Sequence, residues 1–491
     1  MSSLVIAVER PENWPFDLPG VEVVAARRYL TDAALAARRG TRVFNLCRSY
    51  RYQSLGYYVS LLAEARGHKP LPSVATIQDL KSPSLVRYVS EDLDALIRKS
   101  LAPLLSVRFT LSIYFGKNVA RRHQRLALAL FNLFPAPLLR AELAIQGGRW
   151  QLQSLKPIAV QDLSQEHREF VVEAARDYFA GRRRRAAART PTRYDLAILV
   201  DPSEELGPSD ERAIQRFEDA ARELALRPEH IGRDDYGRLA EFDALFIRQT
   251  TSVHHFTYRF SRRAAAEGLV VIDDPQSILR CSNKVYLAEA LSRARVPTPR
   301  TLVVHRDNVD TVAGELGLPA ILKLADGSFS QAVARVDDRE SFRAQARRFL
   351  DASDLAIAQE FLPTDFDWRV GVLDRRPLFA ARYKMTPGHW QIVRHDGHGG
   401  IEYGGTEAVA VADAPPAVVE VAVTAAGLIG DGFYGVDVKD KDGRVVVIEV
   451  NDNPNVDDGC EDAVLGDELY RRVMQVFLQR IERLKEGKTA S

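Results

Sequence analysis

The sequence predicts a mixed fold that is α/β in its N-terminal and middle parts and α+β in its C-terminal part. Three observations support this prediction. β-like runs alternate with helix-like segments before the chain becomes largely helical up to about residue 180, a strand–helix–strand unit opens near residue 194, and strands outnumber helices after residue 302. Alternation is typical of α/β domains, whereas antiparallel sheets flanked by helices are typical of α+β domains.

The first part of the chain contains the short elements on which its α/β class depends. Apolar runs predict strands, and segments with helical periodicity predict helices. The predicted strands are Leu4–Val8, Val21–Ala25 and Arg42–Cys47, and the predicted helices are Thr31–Arg39 and Gln53–Arg66. We identify no chemistry from the sequence of this part.

The middle and C-terminal parts follow with longer elements. The middle unit is predicted to contain strands Leu196–Val200, Ala244–Ile247 and Leu269–Ile272 and helices Glu211–Leu226 and Tyr258–Glu267. The predicted C-terminal strands are Leu302–His305, Ala320–Leu324, Ala356–Phe361, Arg369–Leu373, Pro377–Tyr383, Gly432–Lys439 and Arg444–Val450. No fixed-period repeat accompanies them.

Length and composition predict a multidomain globular protein. The 491 residues are enough for about three domains, and 46% hydrophobic with 27% charged residues is ordinary for such a protein. We predict domains over residues 1–185, 193–280 and 281–485. The run Arg182–Arg185, near the first boundary, is interpreted either as a solvated linker or as a phosphate or nucleic-acid contact.

Charge and cysteine content restrict the partners and the compartment. The chain has 67 lysines and arginines against 66 acidic residues, so its overall charge indicates neither a nucleic-acid nor a membrane partner. Three separated cysteines suggest neither a disulfide framework nor a metal site. Since no apolar run approaches the roughly 20 residues of a membrane helix and no signal peptide is evident, a cytoplasmic protein is expected.

A strand near the C-terminus carries acidic and amide groups where a buried strand should be apolar. Glu449 and Asn451 interrupt the run that begins at Val445, and alternation along a strand directs both side chains to one face. Their hard oxygens suit Mg²⁺. The alternative is an ordinary half-exposed hairpin with surface acids.

A third oxygen ligand is expected from Asp437 on the preceding strand. A turn at Asp442-Gly443 joins the two strands. If the loop is Asp442-Gly443-Arg444, Asp437 faces Glu449 directly, whereas a shift of one residue would place them on opposite faces. The predicted metal site consists of Asp437, Glu449 and Asn451.

Two lysines upstream are candidates for phosphate binding. Lys323 interrupts the apolar strand Ala320–Leu324 and is followed by a Gly/Ser loop that contains Ser328, so an ammonium and backbone N–H groups can meet phosphates there. Lys284 follows Asn283 at a helix start, where the helix dipole favours an anion. Taken alone, Lys284 also fits a surface lysine.

Further candidates lie at the ends of strands. Gln359, Glu360 and Phe361 end a strand at Pro363, where backbone groups can meet an adenine ring, although an ordinary edge strand explains the segment equally well. Arg369 and Lys384 supply cations suited to an anionic transition state, or are solvated strand ends.

Taken in order, these motifs resemble the ATP-grasp fold and, more narrowly, the RimK-like ligases. The resemblance covers about residues 195 to 485 and implies a small α/β pre-ATP-grasp domain followed by a two-lobed α+β ATP-grasp domain. It assigns phosphates to Lys284 and Lys323, the adenine to Glu360 and Phe361, and the ribose to Asp367. Residues 1–185 resemble the N-terminal extension of some RimK-like proteins.

The resemblance implies an ATP-dependent carboxylate–amine ligase. A substrate carboxylate attacks the γ-phosphate of ATP, and an amine displaces phosphate from the acyl phosphate to give an amide and ADP. Arg369 and Lys384 are the predicted catalytic residues, ATP and Mg²⁺ (or Mn²⁺) the cofactors, and an amino acid, a small peptide or a protein C-terminus the substrate. Relatives often form oligomers, so a homo-oligomer is compatible with the resemblance. The alternative is a non-catalytic ATP sensor that signals through the N-terminal domain.

Two segments depart from the family pattern. The phosphate loop after Asp326 has fewer glycines than is usual, and residues 387–400 do not match the arginine-rich stretch of the type member. The acceptor specificity of the family is therefore not carried over. The histidines at 389, 395 and 398 are interpreted as solvated loop residues rather than a metal cluster.

Overall fold

The computed structural model describes most of the chain and divides it into two compact units. The described residues are 4–14, 16–38, 40–82, 86, 93–104, 106–183, 192–204, 207–326, 333–395 and 401–489. One unit comprises residues 1–195, 231–243 and 487–491, and the other comprises residues 196–230 and 244–486. Within the described part, no helix is both long and apolar enough to span a membrane.

The first unit begins with a four-stranded parallel sheet. Its order is β2-β1-β3-β4, and β1 pairs in parallel with both β2 and β3. The strands are β1 (Leu4–Val8), β2 (Val21–Ala25), β3 (Arg42–Asn45) and β4 (Lys69–Leu71). The helices around it are α1 (Ala26–Thr31), α2 (Ala33–Ala36), α3 (Leu55–Ala65) and α4 (Val74–Asp79). Apolar clusters cover both faces, as the continuous apolar run of β1 requires.

An antiparallel sheet in the first unit corrects the prediction that the chain becomes largely helical. Its strands are β5 (Arg108–Tyr114), β6 (Leu138–Gln146) and β7 (Arg149–Pro157). Gly147 and Gly148, both at positive φ, form the two-residue turn between β6 and β7. The neighbouring helices are α5 (Asp94–Leu101), α6 (Gln124–Leu133) and α7 (Arg168–Arg183). Alternating buried positions along β5 and β6 close one core with the helices.

The second unit opens with another parallel sheet, of order β11-β10-β8-β9. Its strands are β8 (Tyr194–Leu199), β9 (Leu226–Ile231), β10 (Ala244–Ile247) and β11 (Val270–Ile272). Its helices are α8 (Glu211–Glu223), α9 (Phe256–Ala266), α10 (Pro275–Ser282) and α11 (Lys284–Arg293). The predicted α/β class of this segment is confirmed.

Two larger antiparallel sheets and a separate two-stranded antiparallel sheet, β18-β19, complete the second unit. Of the two larger sheets, the smaller has the order β12-β15-β13-β14, and the larger has the order β20-β17-β16-β21-β22. The strands are β12 (Thr301–Val304), β13 (Ala320–Leu324), β14 (Val333–Val336), β15 (Ala356–Glu360), β16 (Phe366–Leu373), β17 (Arg376–Lys384), β18 (Val393–His395), β19 (Ile401–Tyr403), β20 (Thr406–Val409), β21 (Phe433–Lys441) and β22 (Arg444–Asp452). The helices are α12 (Val309–Leu316), α13 (Arg339–Ala352), α14 (Pro416–Ile429) and α15 (Asp467–Thr489).

Helix packing leaves one face of the larger sheet for polar groups. Trp368, Val370, Val436, Val438 and Val450 share a core with α14. Because successive side chains alternate between faces, the intervening residues of these strands point to the opposite side. That opposite side carries the charged residues of the candidate site.

Candidate active site

Three strands of the larger sheet align three charged side chains in one row. Arg369 on β16 lies opposite Asp437 on β21, and Asp437 lies opposite Glu449 on β22. Residues paired across antiparallel strands point to the same face. Across the sheet, the row therefore consists of one cation followed by two carboxylates.

The β21–β22 hairpin pairs Asp437 with Glu449, as predicted, but with a different loop. The loop contains only Asp442 and Gly443, both at positive φ, and Lys441 pairs with Arg444. The three-residue loop on which the predicted pairing was conditional does not form. A regular ladder from this turn would pair Asp437 with Ile448, but a β-bulge shifts the register and brings Glu449 opposite Asp437.

Asp437 is buried between a guanidinium and an amide. The Arg369 guanidinium donates two hydrogen bonds to it, one of 3.0 Å from Nη2 to Oδ2, and Asn451 Nδ2 donates to Oδ2 at 3.2 Å. Burial raises the pKa of Asp437 in spite of the opposing effect of Arg369. The neighbouring groups therefore do not fully compensate this carboxylate, and a further cation would stabilise it.

Glu449 is paired with the lysine at the start of α11. Lys284 Nζ lies 2.8 Å from Glu449 Oε1, and the Lys284 side chain is 8% exposed. Burial acts to raise the pKa of Glu449, but the ammonium groups of Lys284 and Lys323 outweigh it and hold the pKa below its ordinary value. The Lys284 backbone N–H donates to Ala325 O at 2.8 Å, which holds this helix start beside the end of β13.

Lys323 is the buried cation of the smaller sheet. It pairs with Ile357 across β13 and β15 and is 6% exposed. Burial lowers its pKa to about 8. Among the described residues, no acidic side chain lies within ion-pair distance of Lys323. A buried ammonium of this kind favours a bound anion.

A cleft joins these groups to the end of β15, which is an inner strand of the smaller sheet. Gln359 is 6% exposed, and its Nε2 donates to Thr301 Oγ1 at 3.0 Å. The cleft is lined by Lys284, Leu287, Ala288, Leu291, Thr298, Thr301, Lys323, Ile357, Gln359, Val447, Ile448 and Glu449. Its lining combines apolar walls with a few polar groups, but its volume of about 20 Å³ means that it would have to open to admit a nucleotide.

The two residues after Gln359 have partners outside the cleft lining. Arg444 makes a bidentate ion pair with the Glu360 carboxylate, with both distances 2.7 Å, and this pair lowers the pKa of Glu360. The Phe361 ring packs edge-on against Trp390, with centroids 6.0 Å apart, and lies under the Arg335 guanidinium. The Glu360 carboxylate is therefore already engaged by Arg444, and the Glu360 backbone N–H donates to Arg300 O at 2.8 Å.

The structure brings Asp367 to the row but places Lys384 elsewhere. Asp367 lies two residues before Arg369 on the same face and pairs with Lys439. Lys384 pairs across the ladder with Phe366, whose position is on the opposite face from Arg369. Its side chain is 56% exposed, and its Nζ lies 3.2 Å from Glu407. Lys384 therefore does not reach the row. Ser328 lies outside the described residues.

Tyr383 and Glu461, which the sequence did not predict as site residues, support Arg369. The Arg369 guanidinium lies 4.8 Å from the centroid of the Tyr383 ring, and the Tyr383 hydroxyl donates to buried Glu461. Tyr383 pairs with Asp367 across β16 and β17. Alternation along β17 places Tyr383 and Lys384 on opposite faces. The sequence pattern could therefore have indicated Tyr383 if the partner strand had been known.

The donor set of the row fits a magnesium ion. Two carboxylates and the Asn451 amide oxygen are the hard ligands that Mg²⁺ prefers, and the raised pKa of Asp437 indicates a deficit of positive charge. Within the described residues, no group of three or more His, Cys, Asp or Glu side chains converges. Asn451, water and substrate oxygens would therefore have to complete the coordination.

Comparison with known families matches both halves of the chain. Residues 26–174 match the RimK-like ATP-grasp N-terminal domain, and residues 281–464 match the RimK-like ATP-grasp domain. Together these ranges make up more than half of the chain. The second range contains Lys284, Lys323, Arg369, Asp437 and Glu449.

Curated relatives with similar sequences are named as ligases. The α-aminoadipate–LysW ligase LysX of Saccharolobus solfataricus is 27% identical over 223 residues, which are 43% of this chain and 75% of that protein. A probable α-L-glutamate ligase of Pseudoalteromonas atlantica is 26% identical over 251 residues, 50% of this chain and 78% of that protein.

Among solved structures, a RimK domain protein from Sphaerobacter thermophilus has a TM-score of 0.44 and 16% identity, over 58% of this chain and 99% of that one. A D-alanine–D-alanine ligase from Bacillus anthracis has a TM-score of 0.45 and 13% identity, over 60% and 99%. The family matches and the named relatives, and not these distant structures, carry the assignment. The chain therefore belongs to the RimK-like ATP-grasp ligases, with the N-terminal domain of that family preceding its ligase domain.

Proposed function

We propose that the protein uses ATP to join a carboxylate to an amine through an acyl phosphate and releases ADP and phosphate. The carboxylate belongs to an amino acid, a short peptide or a protein C-terminus. The row of Arg369, Asp437 and Glu449, with Lys284 paired to Glu449 and Lys323 in the same cleft, carries this proposal. Phosphoryl transfer requires mainly this kind of positioning and charge neutralisation.

The cleft between Gln359 and Glu449 is the proposed ATP site. Lys323 and Lys284 neutralise the phosphates, and the apolar lining from Leu287, Ile357 and Val447 covers the base. Lys284 already balances Glu449 in the structure, so phosphates compete with that carboxylate for the lysine. Lys323 is the stronger phosphate candidate, because its charge has no acidic partner among the described residues.

Asp437, Glu449 and Asn451 would hold Mg²⁺ or Mn²⁺. When bound, such an ion neutralises phosphate charge and favours transfer of the γ-phosphoryl group. The protein groups around it have separate tasks. Arg369 orients Asp437, and Tyr383 with Glu461 fixes Arg369 in turn.

Arg369 is the proposed catalytic cation. In the first step an oxygen of the substrate carboxylate attacks the γ-phosphorus, and the bond to the β-phosphate oxygen breaks. In the second step the neutral amine attacks the acyl carbon and phosphate leaves. The fixed guanidinium faces the region where negative charge develops in both steps, so it stabilises the transition states without reorganising. The proposal does not include Lys384, which the sheet places on its other face.

The first substrates to test are amino acids with acidic side chains. The relatives are named for α-aminoadipate and L-glutamate, and the name of one also includes LysW. A ligase that consumes ATP fits the cytoplasmic location expected from the sequence. We therefore propose that one substrate is an acidic amino acid and that the other is an amino acid or a peptide.

A screen of amino-acid pairs for ADP release, with mass detection of the products, tests the function. The purified full-length chain should form a product whose mass equals donor plus acceptor minus water, with ADP in equal amount. Lys323→Ala should abolish both signals. ADP release without an amide, or no release with any pair including peptide acceptors, would exclude the ligase reaction and favour a nucleotide sensor.

A further inference from the structure

The net charge of +1 conceals a strong asymmetry between two parts of the chain. Residues 1–195 contain 30 lysines and arginines against 17 acidic residues, a formal charge of +13, whereas residues 196–491 contain 37 against 49, a formal charge of −12. A charge of this size on fewer than 200 residues creates a field that attracts anionic partners. Residues 1–195, which make up most of the first unit, are therefore suited to a polyanionic ligand.

One surface of this unit combines exposed aromatic rings with unpaired cations. We call it the tyrosine–arginine surface, and it consists of Arg48, Arg51, Tyr52, Tyr57, Tyr58 and Lys81. Tyr52 is 67% exposed and Tyr58 37%. Arg48 and Arg51 are exposed, and no described acidic side chain lies within ion-pair distance of either one. Large aromatic rings and free guanidinium groups in one patch are typical of interaction surfaces.

The surface lies where ligands bind to doubly wound sheets. Its arginines follow the carboxyl end of β3, and its tyrosines extend into the first turn of α3. The strand order β2-β1-β3-β4 reverses between β1 and β3, which are parallel neighbours. Ligands of open α/β sheets bind outside the carboxyl ends of the strands at this switch point.

A buried polar network holds the loop that carries the surface. Asn45 is fully buried, and its Nδ2 donates to Gly56 O at 2.6 Å and to Ser60 Oγ at 2.9 Å. The Tyr50 hydroxyl donates to Asn45 O at 2.6 Å, and Ser54 Oγ donates to Ser49 O at 2.8 Å. A loop fixed in this way presents its exposed side chains in one preformed arrangement, which lowers the entropic cost of binding.

We propose that the tyrosine–arginine surface binds an acidic peptide segment. The identification of that peptide with the acceptor of the ligase rests on the proposed function, whereas the binding itself does not. Carboxylates complement Arg48, Arg51 and Lys81, and a guanidinium can hold a carboxylate with two hydrogen bonds.

The arrangement of the rings favours a peptide over a nucleic acid. The Tyr52 and Tyr57 rings meet edge to face with centroids 5.2 Å apart, and Tyr57 and Tyr58 do the same at 5.8 Å. In an edge-to-face pair the edge of one ring occupies a face of the other, which leaves fewer open faces for stacked bases. Tyrosine and arginine are also the residues enriched at the centres of protein interfaces.

Fluorescence anisotropy on the full-length chain without ATP tests the proposal. The probe is a fluorescein-labelled ten-residue peptide in which most residues are glutamate, and its counterpart with lysine in place of glutamate is the negative probe. The acidic peptide should bind and the basic one should not. The double variant Arg48→Ala with Arg51→Ala, and separately Tyr52→Ala, should raise the Kd about tenfold or more, as expected for central interface residues.

A matched double variant separates a specific surface from net charge. Arg108 and Arg149 are exposed on the antiparallel sheet of the same unit, and no described acidic side chain pairs with either one. Their joint change to alanine removes the same charge and should raise the Kd less than about threefold. Both double variants should keep the thermal midpoint of the parent.

Four results would overturn the proposal. These are no binding of the acidic peptide, equal losses from the two double variants, tighter binding of a labelled oligouridine that depends on Arg48 and Arg51, and self-association through this surface that the same variant abolishes. The binding test is independent of ADP release. A protein that fails as a ligase can therefore still pass it, and an active ligase can fail it.

Discussion

Among the described residues, every charged side chain of the candidate site has a counter-charge except one. Arg369 is paired with Asp437, Lys284 with Glu449 and Lys439 with Asp367. Lys323 has no acidic partner among the described residues and is nevertheless buried. Burying an ammonium in this state is unfavourable, so its retention is best explained by an anion that binds during function.

Replacing Lys323 and Lys384 separately tests which of the two lysines contributes to ATP turnover. Lys323→Ala should cost on the order of ~3 kcal/mol of transition-state stabilisation, or roughly two to three orders of magnitude in turnover, by analogy with the loss of one preorganised donor. Lys384→Ala should change turnover less than about twofold, because that side chain is exposed on the other face. Steady-state ADP release measures both variants, and equal losses would refute the assignment.

The pH dependence of ATP use should follow the titration of Lys323. Burial lowers the pKa of Lys323 to about 8, so the free enzyme loses this positive charge as the pH rises through that value. The kcat/KM for ATP should therefore fall about tenfold per pH unit well above pH 8. In Lys323→Arg the cation persists, and the fall should disappear. If both proteins lose kcat/KM at the same pH, another group is responsible.

At the scale of the elements, close packing between β16, β21 and the exit of β22 fixes the row. Gly435 pairs with Gly371 and with Asn451 on the neighbouring strands. A Cβ at Gly435 would lie 2.9 Å from Pro454 Cβ and 3.0 Å from Arg369 Cδ. The absence of a side chain here lets Arg369 lie flat beside Asp437.

Gly435→Ala should therefore displace Arg369 more than it unfolds the sheet. We expect turnover to fall at least about tenfold and the stability to fall by ~1–3 kcal/mol, as is common for overpacking. Gly427→Ala in α14 is the control, since no atom lies within 4 Å of the added Cβ. It should leave turnover unchanged and stabilise the helix slightly. Similar turnover for the two variants would contradict the role assigned to Arg369 packing.

Some of these elements could be predicted from the sequence and others could not. The apolar runs around Lys323 and Glu449 define their strands, and a Gly-containing turn defines the β21–β22 hairpin. The bulge at Ile448 was not predictable, because two turn lengths fit the same alternation and only contacts with neighbouring strands select one. The face of Lys384 likewise depends on its register with β16.

The antiparallel sheet of the first unit escaped prediction for a related reason. Strands β5 to β7 contain isolated charged residues such as Arg140, Glu142 and Lys156, and a helix packs on only one side of them. Such a mixed pattern fits a helix period nearly as well as a strand period in short windows. Long-range pairing decided between the two.

At the scale of the whole molecule, the second unit contains several carboxyl groups that folding makes harder to ionise. Burial raises the pKa of Asp437, Asp452, Asp457 and Glu461, and raises that of Asp452 to about 7. Asp452 accepts a hydrogen bond of 2.6 Å from Thr251. A group whose pKa is higher in the folded state stabilises the fold at low pH, and this contribution is lost as the pH rises through that pKa.

Stability should therefore decrease between pH 5 and pH 8, and Asp452→Asn should reduce the decrease. The unfolded carboxyl has a pKa of about 3.9, so the loss at Asp452 extends from about pH 4 to its folded pKa of about 7. At pH 8 the thermal midpoint of the variant should exceed that of the parent by about 2 °C or more. Thermal denaturation at both pH values measures this, and a variant that is less stable than the parent at pH 8 would contradict it.

The transfer of one oxygen atom from the substrate carboxylate to phosphate tests most directly whether an acyl phosphate forms at this site. With a substrate whose reacting carboxylate carries ¹⁸O, one labelled oxygen should leave with each inorganic phosphate, ADP should be the nucleotide product, and both should depend on Lys323 and Arg369. Unlabelled phosphate, or AMP with pyrophosphate in place of ADP, would contradict an acyl phosphate formed at this site.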